Sequence, residues 1–160
     1  MNTWGRRSQA ERATSDDRLN EIGDIVLQIK NHSVLKGHRN QPDQHQAFVD
    51  GNSKLDWPDG NHNATPSKAQ DIRTYPNPPV GKLAEDFAEL AKYDDSPLFK
   101  KVLVALESQA LREEQLYLLG LYRGVGYMLE HKIRTGADWD RDGEIADNGF
   151  DDFFHVEIED

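Results

Sequence analysis

The chain has 160 residues, of which 36% are hydrophobic and 30% charged, with a formal net charge of −10 and no cysteine. That length fits one domain able to bury a core. The acidic balance, without a clustered Lys/Arg stripe, argues against a nucleic-acid partner, and the missing cysteines exclude disulfides and thiolate metal sites. No stretch approaches the ~20 apolar residues of a membrane span, and Met1–Arg7 has no apolar core of the Sec type. Neither membrane insertion nor Sec export is therefore expected, and synthesis in a cytoplasm is.

In chain order, residues 1–15 are polar, carry Arg6, Arg7 and Arg12, and read as a flexible arm with at most a helical turn. Residues 16–160 read as a single domain. Thr14 to Asp17 offer N-cap chemistry. Leu19, Ile22, Ile25, Val26 and Ile29 then recur at helical spacing, which predicts an amphipathic helix over 16–31. A short strand is expected at 33–36. A short helix follows over 42–49, with Gln44, Ala47 and Phe48 on one side. Leu55 to Gly60 is turn-rich. Residues 69–73 read as a strand carrying Asp71 inward, and 75–80 as a proline-rich loop.

Leu83, Phe87, Leu90 and Ala91 suit a helix broken at Asp94-Asp95-Ser96-Pro97. Leu98 to Ala105 suits either strand or helix. A long helix is predicted over 108–131, with Leu111, Gln115, Leu118, Leu119, Tyr122, Val125, Gly126 and Leu129 towards the core. Ile133-Arg134-Thr135 is a strand candidate, 138–148 a loop, and 154–158 a last strand with alternating faces. Without a regular βαβ alternation, the class is α+β, with helices packed on a small, mostly antiparallel sheet.

His62 and Asp71, nine residues apart, and His155 near the end offer two imidazole nitrogens and a carboxylate. Singly, each reads as a solvated or structural group. Together they make a three-ligand zinc set with a fourth position open for water. Asp152, three residues before His155, can serve as a general base beside that water, or it caps a turn. Asp138-x-Asp140-x-Asp142-Gly143-Glu144-Ile145 has the order of an EF-hand loop, with Asp147 or Asp151 as a further oxygen donor. Position twelve is Gly149 where a bidentate Glu is usual, so the alternatives are an EF-like calcium site and an acidic solvated loop.

His62-Asn63-x-x-Pro66-Ser67-x-Ala69-x-Asp71, with Asp152-x-x-His155-x-Glu157, resembles the LAS-type zinc metallopeptidases of the M15 group, in particular their phage endolysin branch. The likeness extends through Gly37-His38-Arg39, Gln44, Ala47-Phe48, Gly51-x-Ser53-Lys54-Leu55 and Trp57-Pro58-x-Gly60. It covers roughly 17–76 and 111–158 and leaves 80–108 as a family-variable insertion. The resemblance implies zinc on His62, Asp71 and His155 in a surface cleft, Asp152 as general base, and Arg39 on the substrate carbonyl or carboxylate and the oxyanion. Gln44 would be a second substrate contact. A guanidinium suits that role because it is always charged and presents a planar fork. Some phage relatives also bind calcium at the acidic loop.

The implied substrate is the peptidoglycan stem peptide, cleaved as by an L-alanyl-D-glutamate endopeptidase. The implied setting is a monomer made in a host cytoplasm and acting on the wall, in the periplasm, at lysis. The competing readings are a D,D-carboxypeptidase acting on terminal D-Ala and a non-catalytic wall-binding or virion structural protein. Gly60 stands where many relatives have Ser, Gln70 where an apolar residue is usual, and Thr135-Gly136-Ala137 where Trp-Gly-Gly is frequent.

Overall fold

The computed structural model describes residues 1–78, 82–90, 92, 93, 96–145, 147 and 149–160. Strands β1 (His32–Lys36), β2 (Ala69–Thr74), β3 (Lys132–Thr135) and β4 (His155–Glu159) form an antiparallel sheet in the order β1-β2-β4-β3. Helices α1 (Arg6–Arg12), α2 (Asp17–Ile29), α3 (Gln41–Val49), α4 (Lys82–Leu90) and α5 (Pro97–Met128), with a 3-10 turn at Asn61–Asn63, complete the described elements. The fold is α+β, as the mixed pattern predicts.

Helix α2 begins where Asp16 accepts a hydrogen bond from the Arg18 amide. It buries Leu19, Ile22, Gly23, Val26 and Leu27, a stripe of i, i+3, i+4, i+7 and i+8. Ile25 and Ile29, expected in that stripe, are 41% and 56% exposed. At ~3.6 residues per turn they fall off the edge of the face that Leu19 and Val26 define. Helix α5 lays Leu118, Leu119, Tyr122 and Val125 beside the same core, with Val34, Ile72, Val156 and Ile158 from the sheet. Each such side chain stabilises the fold by ~1.5–3 kcal/mol.

Other expectations also need correction. Residues 1–15 are no loose arm. Helix α1 packs on β1, the edge strand, and polar side chains of Ser8, Glu11 and Thr14 take up amides of that strand and of the two residues just past it. Ser8 Oγ accepts from the Val34 amide at 3.1 Å, Glu11 Oε2 from Gly37 at 3.0 Å and Thr14 Oγ1 from His38 at 2.9 Å. An arm held by hydrogen bonds to a strand edge carries no apolar stripe to read. The long helix also starts at Pro97, well before residue 108. Ser96 caps it through the Phe99 amide, and Pro97 sits at the first turn, where a missing N–H is harmless. Leu98 to Ala105 is thus helix. Phe48 is exposed, whereas Gln44 is buried. Pro79, Val80 and Ala91, with Asp94 and Asp95, lie outside the described residues, as do the expectations placed on them and on the side chains of Leu83 and Phe87.

Beneath α1, His32 is sandwiched edge-on between Trp4 and Tyr122, at ring centroid distances of 4.8 and 5.5 Å. Its Nδ1 lies 2.9 Å from the Lys30 carbonyl and its Nε2 2.8 Å from the Tyr122 hydroxyl. Burial lowers its pKa to about 4. A folded value below the unfolded 6.5 favours the native state above pH 6.5, and that stability is lost as the pH falls from 6.5 through about 4. The loss attributable to His32 is roughly 3 kcal/mol. Urea unfolding of wild type and His32→Phe at pH 7 and pH 4 is expected to show a markedly smaller acid loss in the variant. Equal losses would exclude His32 as a source.

Candidate functional site

The site lies on the sheet face opposite α2 and α5. Alternation along β4 sends Val156 and Ile158 into the core and His155 and Glu157 to the other side, and all four are buried. Across the ladder, Asp71 on β2 is the Cα partner of His155, so the two side chains start within ~5.5 Å of each other. His62 arrives from a single 3-10 turn, Asn61–Asn63. Gly60 and Asn63 close that turn: the Asn63 amide donates to the Gly60 carbonyl, and Asn63 Oδ1 accepts from the Gly60 amide.

Both imidazoles converge on one oxygen. His62 Nε2 is 3.1 Å and His155 Nδ1 3.5 Å from Asp71 Oδ1. The far nitrogens are committed. His62 Nδ1 donates to the Gly37 carbonyl at 2.6 Å, and His155 Nε2 donates to Glu157 Oε2 at 3.0 Å. Since a carbonyl and a carboxylate accept only, the nitrogens facing Asp71 are the ones that carry lone pairs when the rings are neutral. Gly37 permits this because its backbone presses on α1: a Cβ there would meet the Glu11 carbonyl at 2.4 Å.

The charges follow. Burial opposes ionisation of Asp71, but the adjoining His62 charge, hydrogen bonds from both imidazoles and the Arg39 guanidinium outweigh it and hold the carboxyl well below the usual range. Burial likewise opposes protonation of His155, yet hydrogen bonds to Asp71 and Glu157 raise it to about 9. Glu157 sits at about 2, burial being overcome by its hydrogen bonds with His155 and Asn61 and by the charges of His155 and Arg134. In the metal-free protein the site therefore holds a proton on a ring nitrogen where a cation can bind.

His62, Asp71 and His155 form a group whose donor atoms all lie within 4.8 Å of one another. Two imidazoles and one carboxylate, largely buried and with outward nitrogens already engaged, are a donor set that could hold a metal ion. A cavity of about 430 Å³ opens on it, lined among others by Arg39, Lys54, Trp139, Asp152, His155 and Glu157. A second, of about 360 Å³, lies beyond and includes Asp71, Asp151 and Phe154. Arg39, Asn52, Phe150 and Asp152 line both.

Asp152 is held at the head of β4. Its amide donates to the Gly136 carbonyl at 2.7 Å, its carbonyl accepts from His155 at 3.2 Å, and its Oδ1 accepts from the Phe154 amide. A Cβ on Gly136 would meet the Asp152 carbonyl at 2.3 Å, so the Gly in Thr135-Gly136-Ala137 is what lets the loop close on β3. Arg39 lines both cavities, and its Nη2 donates to Asp71 Oδ2. Gln44 borders the cavity with its amide engaged inside the protein: Nε2 donates to Ser53 Oγ and the Leu55 carbonyl, and Oε1 accepts from Asn63. It braces the cavity wall, which is a different task from the substrate contact expected of it. Gln70 points to the core side and donates to Asn20 Oδ1 on α2, so its departure from an apolar residue does not touch the cleft.

The acidic loop also gathers. Asp138, Asp140 and Asp142 form one close carboxylate group, and Asp142, Glu144 and Asp147 another. Gly143, at φ 91°, makes the sharp turn at the loop's sixth position. Asn61, Arg134 and Trp139 carry no site role in the sequence reading, and Glu157 appears there only as part of the motif with His155. Trp139 lies against His155 at 5.1 Å, with the Arg134 guanidinium 5.3 Å above the indole. For Glu157, strand alternation with His155 was the available signal.

No protein-family model matches this chain, and no curated protein matches it in sequence. Its fold is similar to the crystal structure of the Serratia marcescens L-Ala D-Glu endopeptidase ChiX, with a TM-score of 0.57 and 14% identity over 96% of this chain and 87% of that one.

The raised His155 value gives a signature in metal-free protein. A folded value above 6.5 stabilises the fold below pH 6.5, and that contribution is lost as the pH rises through about 9. Thermal unfolding in a chelator at pH 6.5 and 9.5 is expected to show a drop that His155→Asn lacks. A drop of the same size in both proteins would refute the assignment.

Proposed function

We propose that this protein is a zinc-dependent peptidase that hydrolyses a bond in the peptidoglycan stem peptide. The observation that carries the reading is the convergence of His62 Nε2 and His155 Nδ1 on Asp71 Oδ1, with both outward nitrogens already hydrogen-bonded. Zinc held by these three residues supplies Lewis acidity and brings the pKa of water towards neutrality.

The chain's own groups do the rest. Asp152, beside the ligands and lining both cavities, takes the proton of the attacking water and returns it to the leaving amine. Arg39 presents a fixed positive charge where the oxyanion develops. Trp139 and Phe150 give the cleft an aromatic wall. An L-alanyl-D-glutamate endopeptidase fits better than a carboxypeptidase, because the two cavities share lining residues around Asp152 and leave room for substrate on both sides. The fold shared with an L-Ala D-Glu endopeptidase supports the same choice. Among the described residues no helix is long and apolar enough to cross a membrane, and the reading places the chain at the wall after release from a host cytoplasm.

A calcium ion in the acidic loop belongs to this reading. The Asp138 side chain is buried, its Oδ2 paired with Arg123 at 2.7 Å and its Oδ1 without a hydrogen-bond partner. Desolvation, then the charges of Asp142, Asp140 and Glu144, raise the Asp147 carboxyl, a strain that a divalent cation relieves.

Purified protein is expected to carry zinc and to clear permeabilised Gram-negative cells, and mass spectrometry of digested muropeptides is expected to show cleavage inside the stem. Asp152→Asn should lower kcat by ~10²–10⁴, and His155→Ala should abolish lysis. Undiminished lysis by His155→Ala would sink the zinc mechanism, and release of D-Ala alone would make the protein a carboxypeptidase. Calcium titrated into metal-stripped protein should raise Tm, and Asp138→Asn should remove the shift. A flat titration of wild type would eliminate the calcium site.

A further inference from the structure

Glu157 is a buried carboxylate that the proposed chemistry leaves without a task. It is 3% exposed and lies on the His155 face of β4. Its Oε2 accepts from His155 Nε2 at 3.0 Å and from Asn61 Nδ2 at 2.7 Å, and its Oε1 is paired with Arg134. Arg134 stands directly opposite on β3, and Asn61 immediately precedes His62. Taking a carboxylate out of water is unfavourable unless its oxygens are all engaged. Here three donors from three different segments engage them, and one of those donors is the ring of a candidate ligand.

The consequence for His155 is geometric. An ionised carboxylate only accepts, so the ring must keep its hydrogen on Nε2 and turn Nδ1 towards Asp71 Oδ1. Asn61 fixes the Oε2 that receives this hydrogen, and Arg134 fixes the other oxygen so that the carboxylate cannot rotate away. We propose that Glu157 is the positioning residue of the metal centre, locking His155 into the tautomer and orientation that present Nδ1 to the ion. This assignment rests on the zinc reading. A plainer role, an ion pair stapling β3 to β4, would need Arg134 but neither Asn61 nor His155.

Zinc affinity and ring tautomer separate the two roles. Zinc dissociation constants are measured by competition with a chromophoric chelator for wild type, Glu157→Gln, Glu157→Leu and the double variant Arg134→Met/Glu157→Leu, and imidazole ¹⁵N shifts are recorded for each zinc-loaded protein. The double variant leaves no unpaired buried charge and so keeps the test alive if Glu157→Leu alone fails to fold. Glu157→Leu is expected to weaken zinc binding about 10–100-fold and to lose the Nε2–H signature of His155. Glu157→Gln keeps an acceptor and should recover most of the affinity together with the signature. The double variant should bind as weakly as Glu157→Leu. The proposal is overturned if the Leu variants bind zinc like wild type, or if Gln and Leu lose affinity equally, which would make the ion pair the operative feature. A wild type that takes up no zinc would remove the zinc reading itself, a result distinct from either.

Discussion

The register between β2 and β4 is the constraint on which the rest depends. It sets Asp71 opposite His155 and Ala69 opposite Glu157. A slip by one residue would turn every side chain of β4 over, sending His155 and Glu157 into the core and Val156 and Ile158 into the cleft. Such a slip is strongly disfavoured, because Val156 and Ile158 are fully buried against α2 and α5 while two ionisable groups would replace them. The apolar side of the sheet therefore aligns the polar side. Packing energy from one face is converted into the placement of donor atoms on the other.

That arrangement explains how a strand buried on both faces can be half polar. Each buried group of the site has at least one partner from a different segment: Gly37 for His62, Asp71 for His155, Arg39 for Asp71, and Arg134 with Asn61 for Glu157. A partly satisfied network of this kind would be worse than an apolar patch. Gly136 and Gly37 are small because backbone approaches there within contact distance of other backbone, and both positions feed the site.

Much of this was legible before any coordinates. The stripes of α2 and α5 and strands β2 and β4 follow from periodicity, and the group His62, Asp71 and His155 from residue chemistry together with the family resemblance. What escaped has physical reasons. The N-terminal segment is bound through Ser8, Glu11 and Thr14 to β1 and the residues just past it, and polar contacts of that kind leave no hydrophobic period. Ser96-Pro97 reads equally as a breaker and as a helix start, and only the cap to Phe99 decides. Gln44 has the chemistry of a substrate contact and borders the cavity, but its amide is engaged by Ser53, Leu55 and Asn63. Glu157 was visible as a neighbour of His155, while its link to Arg134 and Asn61 depends on contacts across 23 and 96 residues, which no local pattern records.

The docking of α1 joins two matters that look separate. Glu11 and Thr14 close the open edge of the sheet at residues 37 and 38, and Gly37 is also the residue whose carbonyl orients His62. Any event that lifts this helix, such as a proteolytic nick before residue 16 or a bulky fusion pressing on Trp4, frees a row of backbone donors and loosens one ring of the donor group together. The N-terminal segment is thus a remote handle on the site: the order of the His62 ring and the resistance to edge-to-edge association rise and fall as one property.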